Sequence, residues 1–222
     1  MKTSYKDLVT NVDKENERRL DSELHRIDPG CRVLSEEGLG DQPTDLSGRV
    51  WIVDPIDGTM NFVLQHRNFA IMAARYIDGK PDRGYILDVM SDELCHGVIG
   101  HGVYVNDQRL TTPPDRSLTE GLIAVNVYMI THFDRLREVA VKARGVRMYG
   151  SAGIEMMSVL TGRLSGYISY LHPWDLAAGR VLATELKLPV QSIDDSELSV
   201  LSSNTVIVAT KRVNEDIMNI LH

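Results

Sequence analysis

The sequence predicts a layered α/β or α+β fold, on three observations. Helical and strand periodicities are interleaved along the chain, the middle of the chain is strand-rich, and neither an internal repeat nor a low-complexity run interrupts them. A length of 222 residues suffices for one large domain or two small ones sharing a core. A soft boundary falls near residues 111 to 120, where Thr-Thr-Pro-Pro-Asp breaks the pattern. The chain is therefore divided into an N-terminal α+β portion, 1–115, holding most of the acids discussed below, and a C-terminal α/β portion, 116–222, that completes the site.

The first helix follows Asp13, with Leu20, Leu24 and Ile27 at helical spacing and Pro29-Gly30 as the stop. Thr10 and Asp13 fit a Thr-x-x-Asp capping pattern. Arg32-Val33-Leu34 reads as a short strand ending on Ser35-Glu36-Glu37-Gly38, and residues 38 to 48 as a surface loop free to close over a site. Val50 to Val53 is a buried strand running into Asp54-Pro55-Ile56-Asp57-Gly58-Thr59. Strands follow at Phe69 to Ile77, Arg83 to Val89, Glu93 to Ile99 and Val103 to Val105, with turns at Asp78-Gly79 and Asn106-Asp107, and then at Leu122 to Val127. Phe133 to Ala143 and Ser151 to Leu164 read as helices, Gly166 to Tyr170 as a strand, and Asp175 to Leu186 as a helix. Thr205 to Ala209 is a strand and Asn214 to Leu221 a last helix.

Hydrophobic residues make up 43% and charged residues 25%, the balance of a globular protein. The formal net charge of -7 argues against a nucleic-acid or anionic-membrane partner, because no basic block offsets it. The two cysteines, Cys31 and Cys95, have no paired spacing and read as buried thiols. With no apolar membrane span and no signal-peptide core, the expected location is the cytoplasm.

The densest chemical signal is Asp54-Pro55-Ile56-Asp57-Gly58-Thr59. Two acids leave the end of a buried strand, Pro55 holds Asp54 extended, and Gly58 frees a turn into a helix. Carboxylate oxygens suit hard cations such as magnesium, and amides at a helix start suit phosphate. Glu36, Glu37 and Asp175 are placed to join them at the end of the preceding strand and the start of a later helix. Five acids in one cleft repel strongly unless cations intervene. Taken singly, each of these acids outside the Asp54–Thr59 run has a plain structural reading: turn residue, helix cap or solvated pair. Their joint occurrence in this order favours a site.

Trp51-Ile52-Val53-Asp54-Pro55-Ile56-Asp57-Gly58-Thr59-Met60-Asn61-Phe62 resembles the first signature of the inositol monophosphatase family, and Trp174-Asp175-Leu176-Ala177-Ala178-Gly179 its second. Asp7 to Asp13 resembles the family's N-terminal motif, Ser35-Glu36-Glu37 its glutamate pair, and Gly150-Ser151-Ala152 a substrate-side turn. The resemblance implies a layered αβαβα sandwich of the sugar phosphatase type, assembled as a homodimer and inhibited by lithium. It implies two or three Mg2+ ions held by Glu36, Asp54, the Ile56 carbonyl, Asp57 and Asp175. Glu37, Thr59 and Asp13 would serve the attacking water. Asp57, Gly58, Thr59, Gly150, Ser151, Ala152 and Asp175 would contact the substrate, a small phosphorylated metabolite. In-line attack by metal-activated water, without a covalent phosphoenzyme, is the implied mechanism.

Three departures from the family stand out. The N-terminal motif begins at Asp7, where relatives usually carry one or more helices before it; these are absent or lie outside the sequence given, and Lys2 falls where the family often has a lysine. Ile168-Ser169-Tyr170-Leu171-His172 lacks the acid that inositol-selective members often carry before Trp-Asp, with His172 as a candidate replacement. Thr184 to Leu188 replaces a stretch that is often acidic and glycine-rich. Two alternatives therefore stand beside an inositol or sugar phosphatase. One is a nucleotide-directed phosphatase, acting on 3'-phosphoadenosine 5'-phosphate or a dinucleotide phosphate and using Tyr128, His132, Tyr149, Tyr170 and His172. The other is a non-catalytic regulatory binding protein on the same fold.

Overall fold

A computed structural model describes residues 11–222. Lys2, the Asp7–Thr10 part of the N-terminal motif and the Thr10 half of the capping pattern lie outside the described residues. Helix α1 (Asn11–Ile27) packs Asp13, Glu17 and Leu24 inward on one stripe. Ile27, expected in the same apolar row, is exposed at the last position of the helix.

Strands β1 (Arg32–Ser35) and β2 (Arg49–Asp57) pair in parallel. After helix α2 (Thr59–Gln65) come β3 (Ala70–Ile77), β4 (Lys80–Asp88), β5 (Glu93–Val98), β6 (Gly102–Val105) and the two-residue β7 (Gln108–Arg109). They form an antiparallel meander that completes a seven-stranded sheet in chain order. Asp78 and Asn106 take the left-handed conformation their turns require.

The second half opens with β8 (Leu122–Val125), α3 (Val127–His132), α4 (Asp134–Lys142) and β9 (Gly145–Arg147). It continues through α5 (Ala152–Leu160), β10 (Gly166–Leu171), α6 (Pro173–Glu185), β11 (Val190–Ser192), β12 (Asn204–Ala209) and α7 (Lys211–Leu221). The five strands form a second sheet in the order β11-β12-β10-β8-β9. The strand expected to run to Val127 stops at Val125, because Asn126 caps a new helix by accepting the Met129 N–H. The helix expected to reach Leu164 ends at Leu160, where Thr161 and the left-handed Gly162 turn the chain.

Five layers result. Helix α1 lies against β1 and β2, helices α5 and α6 fill the space between the sheets, and α4 and α7 cover the far face of the second sheet. The largest apolar core joins both sheets through α5 and α6; a second lies beneath α4 and α7, and a small third beneath α1. All nine residues of α5 are buried, as a helix sandwiched between two sheets must be. Helix α6 comes close enough to the first sheet that a Cβ on Gly84 would lie 2.8 Å from the Ala178 carbonyl oxygen. This is the αβαβα sandwich expected from the sequence. The first sheet ends at Arg109 and the second begins at Leu122, with the central core common to both.

Candidate metal and phosphate site

Strand β2 runs through the whole Asp54-Pro55-Ile56-Asp57 segment rather than stopping at Val53 as expected. In a regular strand, residues three apart point to opposite faces. Here Asp54 pairs with Met72 and Asp57 with Ala70, so β2 carries one residue more than β3 over that stretch. This bulge turns both carboxylates toward one place, at a position where Pro55 has no ladder N–H to lose. Gly58 then takes φ 83 and ψ 41, a left-handed turn from which α2 starts at Thr59.

Asp175 reaches the same place from the second half. It is the third residue of α6, and its Oδ2 accepts the His172 backbone N–H at 2.8 Å, the acidic half of a capping box. Asp54, Asp57 and Asp175 each present an oxygen within 4.8 Å of the others. Asp54 is 1% exposed, and burial drives its pKa well up, with the charges of Glu36, Asp57 and Asp175 adding to the effect and the Ile56 N–H opposing it. Burial raises Asp57 as well, opposed by the Ser151 hydroxyl and the Gly153 and Ala152 amides. Those three groups, all from the start of α5, donate to the Asp57 carboxylate, with Ala152 N at 3.0 Å and Gly153 N at 2.7 Å. A carboxylate offers about four acceptor sites, so three donors leave Asp57 capacity for a cation. An all-oxygen set of mutually repelling acids, Asp54 and Asp57 buried and Asp175 half-buried, fits a hard divalent ion.

The remaining sequence candidates fall around this triad. The Thr59 hydroxyl lies 3.1 Å from Asp13 Oδ1 and 3.0 Å from the Ile56 carbonyl oxygen. Glu36 stands outside the close triad, although its charge acts on Asp54. The Glu37 backbone N–H donates to Glu17 at 2.9 Å. Gly150, Ser151 and Ala152 line a cavity of about 370 Å³ together with Asp57 and Asp175. Ile168 is fully buried, whereas Ser169 and Tyr170 line the cavity. His172 does not line it; its ring stacks on Trp174 at 5.5 Å and its Nδ1 lies 2.7 Å from the Ser203 hydroxyl. Of the aromatic groups named for a nucleotide, Tyr149 and Tyr170 line the cavity, and Tyr128 and His132 stack on each other at 4.0 Å.

Sequence reasoning missed the residues that hold these groups in place. Glu17, fully buried, accepts from the Ser35 hydroxyl and from the Glu37 and Leu39 amides, and so fixes the loop carrying Glu36. The Asn16 side-chain amide donates to the Pro55 carbonyl at 3.1 Å. The signal was legible: Asp13, Asn16 and Glu17 sit at i, i+3 and i+4 on one helix face. Glu155 is another, the single acid within the apolar run Ile154-Glu155-Met156-Met157.

A cluster of three acids beside a helix-opening turn and a pocket, held between two sheets, is the chemistry a metal-dependent phosphoric monoester hydrolase needs. The profile of the inositol monophosphatase family matches residues 1–222, and the chain belongs to that family. An inositol-1-monophosphatase from Bacillus subtilis (strain 168) is 39% identical over 222 residues, covering 97% of this chain and 84% of the relative. The crystal structure of inositol monophosphatase-II from Staphylococcus aureus MSSA476 superposes with a TM-score of 0.91 at 39% identity, covering 96% of this chain and 82% of that one. SaIMPase-II has also been solved with inositol monophosphate and with 2'AMP, each at a TM-score of 0.90 and 38% identity; these cover 96% and 94% of this chain and 84% and 82% of theirs. An IMPase/NADP phosphatase complexed with Mg2+ and phosphate superposes at 0.91 with 29% identity, covering 99% of this chain and 84% of that one.

Proposed function

We propose that this chain is a Mg2+-dependent phosphomonoesterase that hydrolyses inositol phosphate or a related small sugar phosphate by attack of an activated water. The observation that carries this reading is the convergence of Asp54, Asp57 and Asp175 within 4.8 Å, with Asp57 and Asp175 lining a pocket. Glu36, Asp54, the Ile56 carbonyl, Asp57 and Asp175 would hold two or three ions, and the Mg2+ in a relative's phosphate complex supports that choice. When bound, magnesium supplies positive charge for the phosphoryl oxygens and makes a nearby water acidic enough to attack.

The chain's own residues do the rest. Thr59 and Asp13 form a hydroxyl–carboxylate pair suited to orient that water and take its proton, with Glu37 on the opposite loop as a further acceptor. The Gly58 and Thr59 amides, at the left-handed turn, face phosphate. Gly150, Ser151 and Ala152 border the leaving group. The 1–115 portion supplies Glu36, Asp54 and Asp57, and the 116–222 portion closes the set with Asp175. A cytoplasmic homodimer sensitive to lithium is the accompanying expectation; among the described residues no helix is long and apolar enough to cross a membrane.

A second reading, a nucleotide-directed phosphatase, is favoured by the aromatic side of the pocket, lined by Tyr149 and by the 53% exposed Tyr170. A 2'AMP complex of a relative supports it. Phosphate release from a panel of inositol, sugar and nucleotide monophosphates, with Mg2+, without it, and with lithium added, tests both. Mg2+-dependent release blocked by lithium is expected, and the preferred substrate decides between the readings. No release from any of them by the folded full chain would overturn both and leave the regulatory role.

A further inference from the structure

We propose that Glu155 is a positioning residue of this pocket: its carboxylate pins the Tyr149–Gly150 turn and thereby sets the wall against which the substrate's leaving group rests. The inference deepens the phosphomonoesterase reading and rests on it for its kinetic consequence.

Glu155 is 5% exposed in the middle of buried α5. A carboxylate in such surroundings is costly; burial pushes it up to about 7, against hydrogen bonds from the Tyr149 and Gly150 amides and the Tyr167 hydroxyl. Its Oε1 accepts the Tyr149 N–H at 2.7 Å and the Gly150 N–H at 3.3 Å. Ser151 is the N-cap of α5, so Glu155 is the fourth helical residue. An ordinary capping box reaches from the third helical residue to the cap itself. Glu155 instead reaches past the cap, to two amides that belong to the preceding loop.

The same turn is gripped from the other half of the chain. The Asn61 amide group, on α2, donates to the Tyr149 carbonyl at 2.6 Å and to the Asn68 carbonyl at 2.8 Å. Gly150 is left-handed, with φ 76. Gly58 lies so close that a Cβ there would be 3.2 Å from the Gly150 carbonyl oxygen and 3.0 Å from Ser151 Cβ. The turn therefore sits between α5 and the Asp57–Gly58 corner, and its next residues hold Asp57. Releasing its two amides lets one wall of the pocket move while Asp57 keeps its bonds to Ser151, Ala152 and Gly153, and Asp175 its bond to the His172 N–H.

The test compares Glu155→Ala, Glu155→Gln and Glu155→Asp in the full chain. It measures kcat, KM and Mg2+ dependence on the wild type's best monoester, and amide hydrogen exchange at Tyr149 and Gly150 by NMR. Glu155→Ala is expected to raise KM by about tenfold or more, leave kcat and the Mg2+ requirement within about threefold, and speed exchange at both amides by about tenfold. Glu155→Gln keeps an acceptor oxygen and restores all of these; Glu155→Asp, one methylene too short, behaves as Ala does and carries the test if the Ala variant does not fold. Unchanged KM and exchange in folded Glu155→Ala or Glu155→Asp would overturn the proposal, as would Gln failing like Ala. A wild type that releases no phosphate sinks the phosphatase reading instead, and the exchange arm then decides on the pin by itself.

Discussion

Asp54→Asn should make the metal-free protein more stable while destroying its activity. With Asp54, Asp57 and Asp175 presenting oxygens within 4.8 Å of one another, each fully ionised pair repels by about 3.5 kcal/mol at an effective dielectric of about 20. Asp54 belongs to two of those pairs, for about 7 kcal/mol with all three acids ionised at that separation, and Glu36 adds to it. Proton uptake limits the realised cost. The folded pKa of Asp54 is raised above its ordinary 3.8, so ionisation destabilises the fold: the group's stabilising contribution is complete below 3.8 and is lost as pH rises through the folded value. Asparagine keeps the oxygen that accepts the Ile56 N–H and cannot ionise. We expect a gain of about 2 kcal/mol near pH 8, or roughly 4–8 °C in Tm, shrinking toward zero at about pH 4. Magnesium should invert the order, because it stabilises the wild type by mass action and finds a weakened ligand set in the variant. Thermal unfolding with a chelator and with saturating Mg2+, at both pH values, reads all of this. A metal-free variant less stable than wild type at the higher pH, or one that Mg2+ stabilises as strongly, would refute the reasoning.

Other residues give further tests. Thr59→Ala removes the hydroxyl 3.1 Å from Asp13 and should lower kcat by about 100-fold with Mg2+ affinity changed far less; the opposite split in a Mg2+ titration counts against its role with water. Glu17→Ala strips the Ser35 hydroxyl and the Glu37 and Leu39 amides of their acceptor, and should raise the Mg2+ concentration for half-maximal activity by about tenfold; an unchanged requirement would separate Glu17 from the site. Gly153→Ala places a Cβ 2.8 Å from Ala70 Cβ and 3.1 Å from Asp57 Oδ2, for a cost of about 1–3 kcal/mol by chemical denaturation, and wild-type stability would show that the helix start can yield.

Most elements were legible from periodicity because their amphipathic pattern is local. The short pieces were not: β7, β9 and β11 have two or three residues each, too few to show a period, and α3 hides behind the strand-like Leu122 to Val127 run until Asn126 caps it. At the site, Asp54-Pro55-Ile56-Asp57-Gly58-Thr59 was readable because its two acids, proline and turn glycine are contiguous. The helix expected to open at Asp175 begins at Pro173, so Asp175 sits two residues inside the helix end, where its carboxylate accepts the His172 N–H and also joins Asp54 and Asp57. Glu17 and Glu155 each left a local signal, but what they hold, the Glu36–Glu37 loop and the Tyr149–Gly150 turn, is apparent only when the chain is folded.

By itself, the sequence determined the layered fold class, the run of acids and the family they resemble, because hydrophobic period and contiguous acid spacing are properties of a local stretch of chain. Tertiary structure alone decided which acids meet. It brought Asp175 against Asp54 and Asp57 across more than a hundred residues, gave the Asp57 carboxylate to the start of α5, and kept Glu36 outside the close triad. The physical reason is that a carboxylate's place in a cluster depends on how the two sheets pack around α5 and α6, and that packing is a sum over apolar contacts between residues distant in the chain.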